Sequence, residues 1–388
     1  MTSPAAPATP AGLDEDQQLL YDSVATFAQR ELGDDPPADG HAAFPRDAWR
    51  KCADLGLLGL SVPAEYGGSG ASATTIAAAL EALGYGCRDN GLIFSLNAQL
   101  WAIERPLIRF GSDALKARYL PGLADGSLLG AHGMSEPESG SDAFSLRTTA
   151  TAAGDGWVLN GSKTFVTNGP EADVFVVFAT TDRNLGFAGL CAFLVERDAP
   201  GLTVGAPFRK MGLQTSPMSE LFLDGCEVPG GALIGPAGAG MHVFNDAMLW
   251  ERGLILAASV GTMRRHLELS VAYASERKQF GKAIGQFQAV SHRLADMRLR
   301  LETSRLMLYR FARLLDEGTA TAADAALTKL QLSDSLVHSA MSAMEIHGGY
   351  GYMSEYPFER EVRDALASRI YSGTSDMLRN VVAHSLGL

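Results

Sequence analysis

Glu251 and Arg252 stand side by side in the run Met248-Leu249-Trp250-Glu251-Arg252-Gly253. A carboxylate held among apolar side chains is raised in pKa and becomes a stronger proton acceptor, which is what a general base needs. The same pair also reads as ordinary polar residues at the start of a helix, where an acid favours the macrodipole. Met134 to Asp142, MSEPESGSD, gathers side-chain oxygens and backbone N–H groups in one polar, glycine-containing loop. By residue type alone it is a loop. Arg277 beside Lys278 on an exposed helix reads as solvated charge, and Phe165 and Phe280 read as core. His132, His292 and His347 are dispersed, and Cys52, Cys87, Cys191 and Cys226 stand far apart with no CxxC pair. Neither a metal site nor a disulfide framework is expected, and the cysteines read as buried thiols.

The elements that must position these residues change character along the chain. Leu19, Leu20, Val24 and Phe27 recur at helix spacing, and Pro63, Gly67 and Gly68 punctuate, so residues 13–126 read as an N-terminal helical domain. Residues 127–236 carry short β-branched and aromatic runs such as WVLNGSKTFVTN and DVFVVFATT between Gly, Pro and Asp turns, the texture of a small β-domain. From 237 to 388 long apolar stripes return, at Leu254 to Arg277, Phe287 to Leu315 and Ala322 to His347, and predict a helical bundle of the four-helix type. The expected class is mainly α with a middle β-domain. No GxGxxG follows a strand, which excludes a Rossmann-type reading.

Composition narrows the partners. The 388 residues are 46% hydrophobic and 20% charged, the balance of a compact globular chain of two or three domains. A net charge of −12 argues against nucleic acid, whose binders neutralise phosphates with Lys and Arg. Residues 1–12, MTSPAAPATPAG, lack the basic and apolar regions of a secretory signal and read as a flexible tail. No uncharged apolar run is long enough to cross a bilayer, so no membrane partner and a cytoplasmic location are expected.

Five segments occur in one order: MSEPESGSD, GSKTFVTNGPEADVFVV, ERKQFGKAIGQFQAV, EIHGGYGY and RIYSGTSDMLRN. Together they resemble the acyl-CoA dehydrogenase family, from about Leu13 to the C-terminus. The resemblance implies a helical domain, a barrel-like β-domain and a four-helix bundle, the same three parts read above. It also implies FAD as cofactor and, as partners, an electron-transfer flavoprotein and further copies of the chain in a homotetramer. Met134, Ser135, Phe165 and Thr167 match positions that line the flavin ring, with Phe165 where the family often has Trp. Arg277, Phe280 and Gln288, with Gly348 and Gly349, match contacts made to the pyrophosphate and adenosine end of a neighbour's FAD; an Arg fork suits paired phosphate oxygens. Thr374 falls among the cofactor contacts, and Ser141, Arg252, Tyr371, Ser372 and Gly373 among the substrate contacts. Glu345 stands where the family commonly has Gln, and a carboxylate there would repel phosphate.

The family's usual base is missing. Its C-terminal motif reads Tyr-Glu-Gly-Thr, and here the same place reads Tyr371-Ser372-Gly373-Thr374. A serine hydroxyl does not ionise near neutral pH without a partner, so another residue must serve. Glu251, followed by Arg252, resembles the base of the isovaleryl branch, which comes from the first long helix of the bundle. The resemblance then implies α-proton removal by Glu251 and hydride transfer to flavin N5, with the Ser372 backbone N–H and a flavin ribityl hydroxyl holding the thioester oxygen.

WERG, RIYSGTSD, CRDNGLIFSLNAQL, FGKAIGQFQ and LETSRLMLYR are most similar to family members of natural-product pathways, including prolyl-carrier-protein dehydrogenases and enzymes of polyketide extender units. The expected function is dehydrogenation of a short acyl thioester on CoA or a carrier protein. Alternatives are γ,δ-dehydrogenation of an enoyl thioester, or a flavin oxidase or monooxygenase on the same fold. Carrier proteins are acidic and so is this chain, so a local basic patch is expected, at Arg209-Lys210 or Arg264-Arg265.

Overall fold

The computed structural model describes residues 10, 12–36 and 43–388, so the expected tail, apart from Pro10 and Gly12, lies outside the described residues. Six helices come first: α1 (Glu15–Glu31), α2 (Arg46–Asp54), α3 (Ala73–Gly86), α4 (Asn90–Gln99), α5 (Arg105–Phe110) and α6 (Asp113–Ala124). Four of these starts are written in side chains that accept orphan N–H groups. Asp14 and Gln17 form a reciprocal capping box on α1, while Ser72, Asp89 and Ser112 cap α3, α4 and α6.

Strands β1 (Gly130–Gly133), β2 (Thr149–Ala153), β3 (Gly156–Thr167), β4 (Val174–Thr180), β5 (Leu190–Glu196), β6 (Leu202–Val204), β7 (Met218–Pro229) and β8 (Leu233–Ile234) follow. They form one sheet in the order β6-β7-β3-β2-β4-β5-β8, with β1 parallel to β4. Every residue of β4 is buried, as its unbroken VFVVFAT run requires of a strand covered on both faces. β3 instead carries exposed and half-buried positions, and its pairing with β7 shifts register between Leu159 and Gly161 and again between Lys163 and Val166. The second shift brackets Phe165, which sits at φ 55°.

The remaining helices are α7 (Gly240–Leu254), α8 (Ala257–Glu276), α9 (Gln288–Asp316), α10 (Ala322–His347), α11 (Gly349–Tyr352), α12 (Phe358–Ala367) and α13 (Ser375–Ser385). A short hairpin, β9 (Lys278–Gln279) and β10 (Lys282–Ala283), joins α8 to α9. Two corrections to the periodicity reading appear here. The chain breaks at Ile255 and Leu256, so α7 and α8 are separate helices, and Arg277 lies just beyond α8 at the hairpin.

The C-terminal helices are locked to the first domain. α3 and α8 cross at backbone contact: a Cβ on Gly84 would fall 1.8 Å from the Ala258 carbonyl, and one on Gly261 would fall 2.0 Å from that of Glu81. Only glycine at both positions permits that approach. Asp316, at the end of α9, accepts from the Ala73 and Thr74 backbone N–H groups and the Thr74 hydroxyl, capping α3 from a distance. Arg305 of α9 pairs with the buried Glu81 of α3 at 2.7 Å. No helix among the described residues is long and apolar enough to cross a membrane.

Candidate functional site

Glu251 lies in the last turn of α7 and is 7% exposed. It is therefore at the negative end of its helix, where the macrodipole disfavours a carboxylate, and the reading of an acid placed for helix stability at a helix start is overturned. The Ser372 hydroxyl donates a short hydrogen bond to Glu251 Oε1, while Oε2 is buried with no partner among the described residues. Burial pushes the Glu251 carboxyl above its ordinary range; the Ser372 hydrogen bond and the charges of Arg252 and Lys329 pull against it. Trp250 packs elsewhere, 5.9 Å from the ring of Trp101 and beneath the guanidinium of Arg105, which binds Asp246 with two hydrogen bonds.

The turn that carries Ser372 is held by side chains from two other helices. Arg252 Nε donates to the Ser372 carbonyl at 3.1 Å. Lys329 of α10 donates to the carbonyls of Ser368, Tyr371 and Gly373 at 3.1, 2.6 and 2.9 Å. Burial lowers the Lys329 ammonium to about 7, with Glu251 opposing the shift. Ser372 sits at φ 54° and its backbone N–H donates to no group among the described residues. A backbone donor left free beside a buried carboxylate is the arrangement that can bind a carbonyl oxygen while the carboxylate takes a neighbouring proton. Gly373 adjoins the Arg252 guanidinium, and Thr374 caps α13 by accepting from Met377 N. Tyr371 turns its ring against Phe94 of α4, at 4.6 Å.

The expected flavin-ring residues come together at the other side of the sheet entry. Met134 is buried just after β1, and the Ser135 carbonyl accepts from Thr164 N, so the loop runs beside β3 next to Phe165 and Thr167. Phe165 is 65% exposed and lies 5.9 Å from the ring of Phe208, so it is not core. The loop has a buried anchor that sequence reading passed over. Lys163 Nζ binds Glu136 at 2.7 Å and the Met134 carbonyl at 3.3 Å, and Glu136 also accepts from the backbone of Arg147 and Thr148. Burial lowers Lys163 to about 8; the same burial works to raise Glu136, but the Lys163 charge and hydrogen bonds outweigh it and hold that carboxyl low. Ser141 is exposed on the same loop.

A second group gathers at one end of the bundle. Arg277, Phe280 and Gln288 are exposed on the hairpin and the start of α9, and Gly348 and Gly349 are exposed after α10. Tyr273 packs on His347 at 4.3 Å and joins the two segments. Phe280 is 93% exposed at φ 51°, so it too is not core. Glu345 is paired with Arg293 at 2.7 Å, which cancels the repulsion expected of its charge.

The proposed basic patch at Arg264-Arg265 is wrong. Each is 9% exposed: Arg264 pairs with Glu268, and Arg265 pairs with Glu361 and donates to the carbonyls of Gly84, Tyr85 and Cys87 at the end of α3. Lys210 is likewise spent, on the carbonyls of Leu213 and Ser216, and only Arg209 of that pair is exposed. All four cysteines are buried and free, and no metal-binding cluster occurs among the described residues.

Family models for the acyl-CoA dehydrogenase N-terminal, middle and C-terminal domains match residues 14–127, 131–226 and 238–387. An L-prolyl-[peptidyl-carrier protein] dehydrogenase of Serratia sp. (strain ATCC 39006) is 42% identical over 97% of this chain and 98% of its own length. The human mitochondrial short-chain specific acyl-CoA dehydrogenase is 38% identical over 96% of this chain and 90% of its own. Among solved structures, the prolyl acyl carrier protein oxidase AnaB superposes with a TM-score of 0.95 at 46% identity, covering 97% of this chain and 100% of that one. PigA with FAD and proline gives 0.93 at 41% identity, over 97% and 99%. This chain, matched by all three domain models and by relatives along nearly its whole length, belongs to the acyl-CoA dehydrogenase family.

Proposed function

We propose that this protein is an FAD-dependent dehydrogenase of a short acyl thioester carried on a carrier protein, with Glu251 as the base. One observation carries the reading: Ser372, standing where a family carboxylate is expected, donates its hydroxyl to the buried carboxylate of Glu251. The base site is thus filled from a different helix.

The residues present fit the cofactor. Phe165, exposed at a strained backbone angle beside Met134, Ser135 and Thr167, offers an aromatic wall for a flavin ring, and Thr374 stands beside the catalytic turn. Arg277, Phe280, Gln288, Gly348 and Gly349 would hold the far end of FAD in a neighbouring copy, the chain acting as a homotetramer. When bound, FAD accepts the hydride lost from the acyl group. Glu251 takes the proton from the carbon next to the thioester through Oε2, the oxygen that has no partner. The free Ser372 N–H holds the thioester oxygen and acidifies that carbon. Arg252 and Lys329 fix the turn that presents this donor, and Ser141, exposed on the Met134 loop, would meet the thioester.

The acyl group is an aminoacyl one on a carrier protein, as the names of the prolyl-carrier relatives suggest, and the reaction belongs to secondary metabolism. The test is anaerobic mixing with prolyl, butyryl and crotonyl thioesters of CoA, pantetheine and a carrier protein, following flavin bleaching and the loss of two hydrogens by mass spectrometry. Bleaching by the carrier-bound prolyl group at a higher kcat/KM than by its CoA ester supports the reading. A flavin that no thioester bleaches removes it. Crotonyl bleaching alone would assign the γ,δ chemistry. Reoxidation of the reduced enzyme by air, compared with an electron-transfer flavoprotein, separates oxidase from dehydrogenase.

A further inference from the structure

Beyond the catalytic turn lies a cavity of about 50 Å³ whose wall includes Ile255, Phe94 and Tyr371. Ile255 follows Glu251 by one turn, its N–H bound to the Glu251 carbonyl, and Tyr371 adjoins Ser372, so the cavity lies beside the elements that carry the base and its turn. Water needs about 10–15 Å³ of such space, so the volume suits a compact group of a few heavy atoms.

Much of the wall is apolar; Ser259, Thr262 and Tyr371 bring hydroxyls to it, and its charged pole is made by Asn90 at the start of α4 with Glu361 and Asp364 of α12. Asn90 Nδ2 donates to Glu361 Oε2 at 2.9 Å and to Asp364 Oδ2 at 3.2 Å. That fixes the amide's orientation, because Arg265 and His266 also converge on Glu361 and, against the effect of burial, hold its carboxyl far below the ordinary range. Only an N–H group can face that carboxylate. Asn90 Oδ1 is therefore turned the other way, and it accepts no hydrogen bond among the described residues. An amide whose N–H groups serve two carboxylates has a more electron-rich oxygen.

Two of the hydroxyl donors on the same wall are already committed. The Ser259 hydroxyl goes to the Leu256 carbonyl, and that of Thr262 to the carbonyls of Gly84 and Ala258. Arg265 and Lys210 behind it are committed to backbone carbonyls, Arg265 also to Glu361. What the pole offers is an acceptor backed by two carboxylates, with the neutral Tyr371 hydroxyl beside it. Such a surface welcomes an N–H donor and repels a carboxylate.

We propose that Asn90 is a specificity-determining residue whose Oδ1 accepts a hydrogen bond from the amino group of the acyl substrate, selecting a cyclic aminoacyl thioester over the hydrocarbon of the same shape. This rests on the dehydrogenase reading above. A site built to bind an N–H rejects the analogue lacking it, because the bound analogue covers the half-buried acceptor and leaves it unpaired.

The test compares prolyl and cyclopentanecarbonyl groups on the same carrier protein, by kcat/KM for flavin bleaching. The wild type is expected to prefer prolyl by at least about tenfold. Asn90→Leu should lower the prolyl value by roughly 10–100-fold and leave the cyclopentanecarbonyl value unchanged or higher. Equal turnover of the two by the wild type overturns the proposal and leaves the dehydrogenase reading intact, and so does turnover of cyclopentanecarbonyl or butyryl without prolyl. A parallel fall of both substrates in a variant that keeps its FAD overturns it as well, assigning Asn90 a structural part. If Asn90→Leu does not fold, Asn90→Ala is read in its place with the same two outcomes. Bleaching by no thioester at all would mean instead that the dehydrogenase reading has failed.

Discussion

Glu251 is 7% exposed and takes its hydrogen bond from Ser372 of the same chain, whereas Phe280 is 93% exposed and its one ring contact among the described residues is Phe287, at 6.1 Å. The first is proposed to work at this chain's own cofactor site and the second to complete a neighbour's, and they are built differently. Around Glu251, α7, α10 and the turn at Tyr371 to Gly373 supply every support from within one chain. Around Arg277 the hairpin and Gly348-Gly349 present open backbone and an aromatic ring to solvent. A buried charge is costly unless partners hold it, and Ser372, Arg252 and Lys329 are in place around Glu251 in the chain itself. An exposed aromatic at a strained φ is instead a surface waiting for something to cover it.

The sharpest way to break that contrast is Glu251→Gln. The amide keeps the size and the Ser372 contact but cannot accept a proton, so flavin bleaching by substrate should fall by about 10³-fold or more, with FAD content unchanged. Stopped-flow absorbance against a carrier-bound prolyl thioester checks it. Bleaching at the wild-type rate would move the base elsewhere.

Lys329→Met attacks the scaffold of the same region. Three carbonyls lose their donor, at a cost of roughly 2–4 kcal/mol of stability, and the turn bearing the Ser372 N–H loosens. Turnover should fall about 10²-fold while the rate retains a measurable pH limb, and the melting temperature should drop together with it. An unchanged melting temperature would show that the lysine is not the support described here.

At the open end the double change Arg277→Gln with Phe280→Ser should act on the cofactor and on assembly, not on chemistry. FAD should dissociate about tenfold more readily and the oligomer should weaken, while protein kept saturated with FAD bleaches at close to the wild-type rate. FAD-to-protein ratio on dilution and sedimentation velocity read the two effects. A variant with full FAD affinity and a slowed chemical step would reverse the assignment of the two regions.

Sequence reading fared differently in the two regions for a physical reason. Ser372 and Glu251 were legible because a vacancy and a carboxylate near an apolar run explain each other, and their contact is present in the structure. The supports were not legible. Lys329 and Lys163 sit in patterns where lysine is ordinarily solvated, and only contacts some 40 and 27 residues away reveal them as buried anchors. Arg264-Arg265 failed for the converse reason: adjacent arginines look like surface, yet Arg265 is paired with Glu361, 96 residues on. Phe165 and Phe280 read as core by type, and only their place in ordered motifs pointed outward, where the structure has them. The fold's three-part texture was visible because strand and helix periods differ along the chain; the break between α7 and α8 was not, since Ile255 and Leu256 continue the apolar stripe.

The smallest expected effect separates the hydroxyl of Ser372 from its backbone. Alanine at φ 54° costs no more strain than serine, so the free N–H should persist in Ser372→Ala. What is lost is the hydrogen bond that favours the ionised form of Glu251 against burial. The Glu251 pKa therefore rises further in the variant. The base must be ionised to act, so the acid limb of kcat/KM moves to higher pH, by about one to two pH units if the bond is worth the roughly 1.5–3 kcal/mol of one to a charged group. Well above the limb the rates should agree within about threefold, and below it the variant should be about tenfold slower or worse. Glu251→Gln, by contrast, should have no pH at which activity returns. A Ser372→Ala profile that overlays the wild type would show that the hydroxyl does not tune the base, and a variant dead at every pH would show that it does more than tune it.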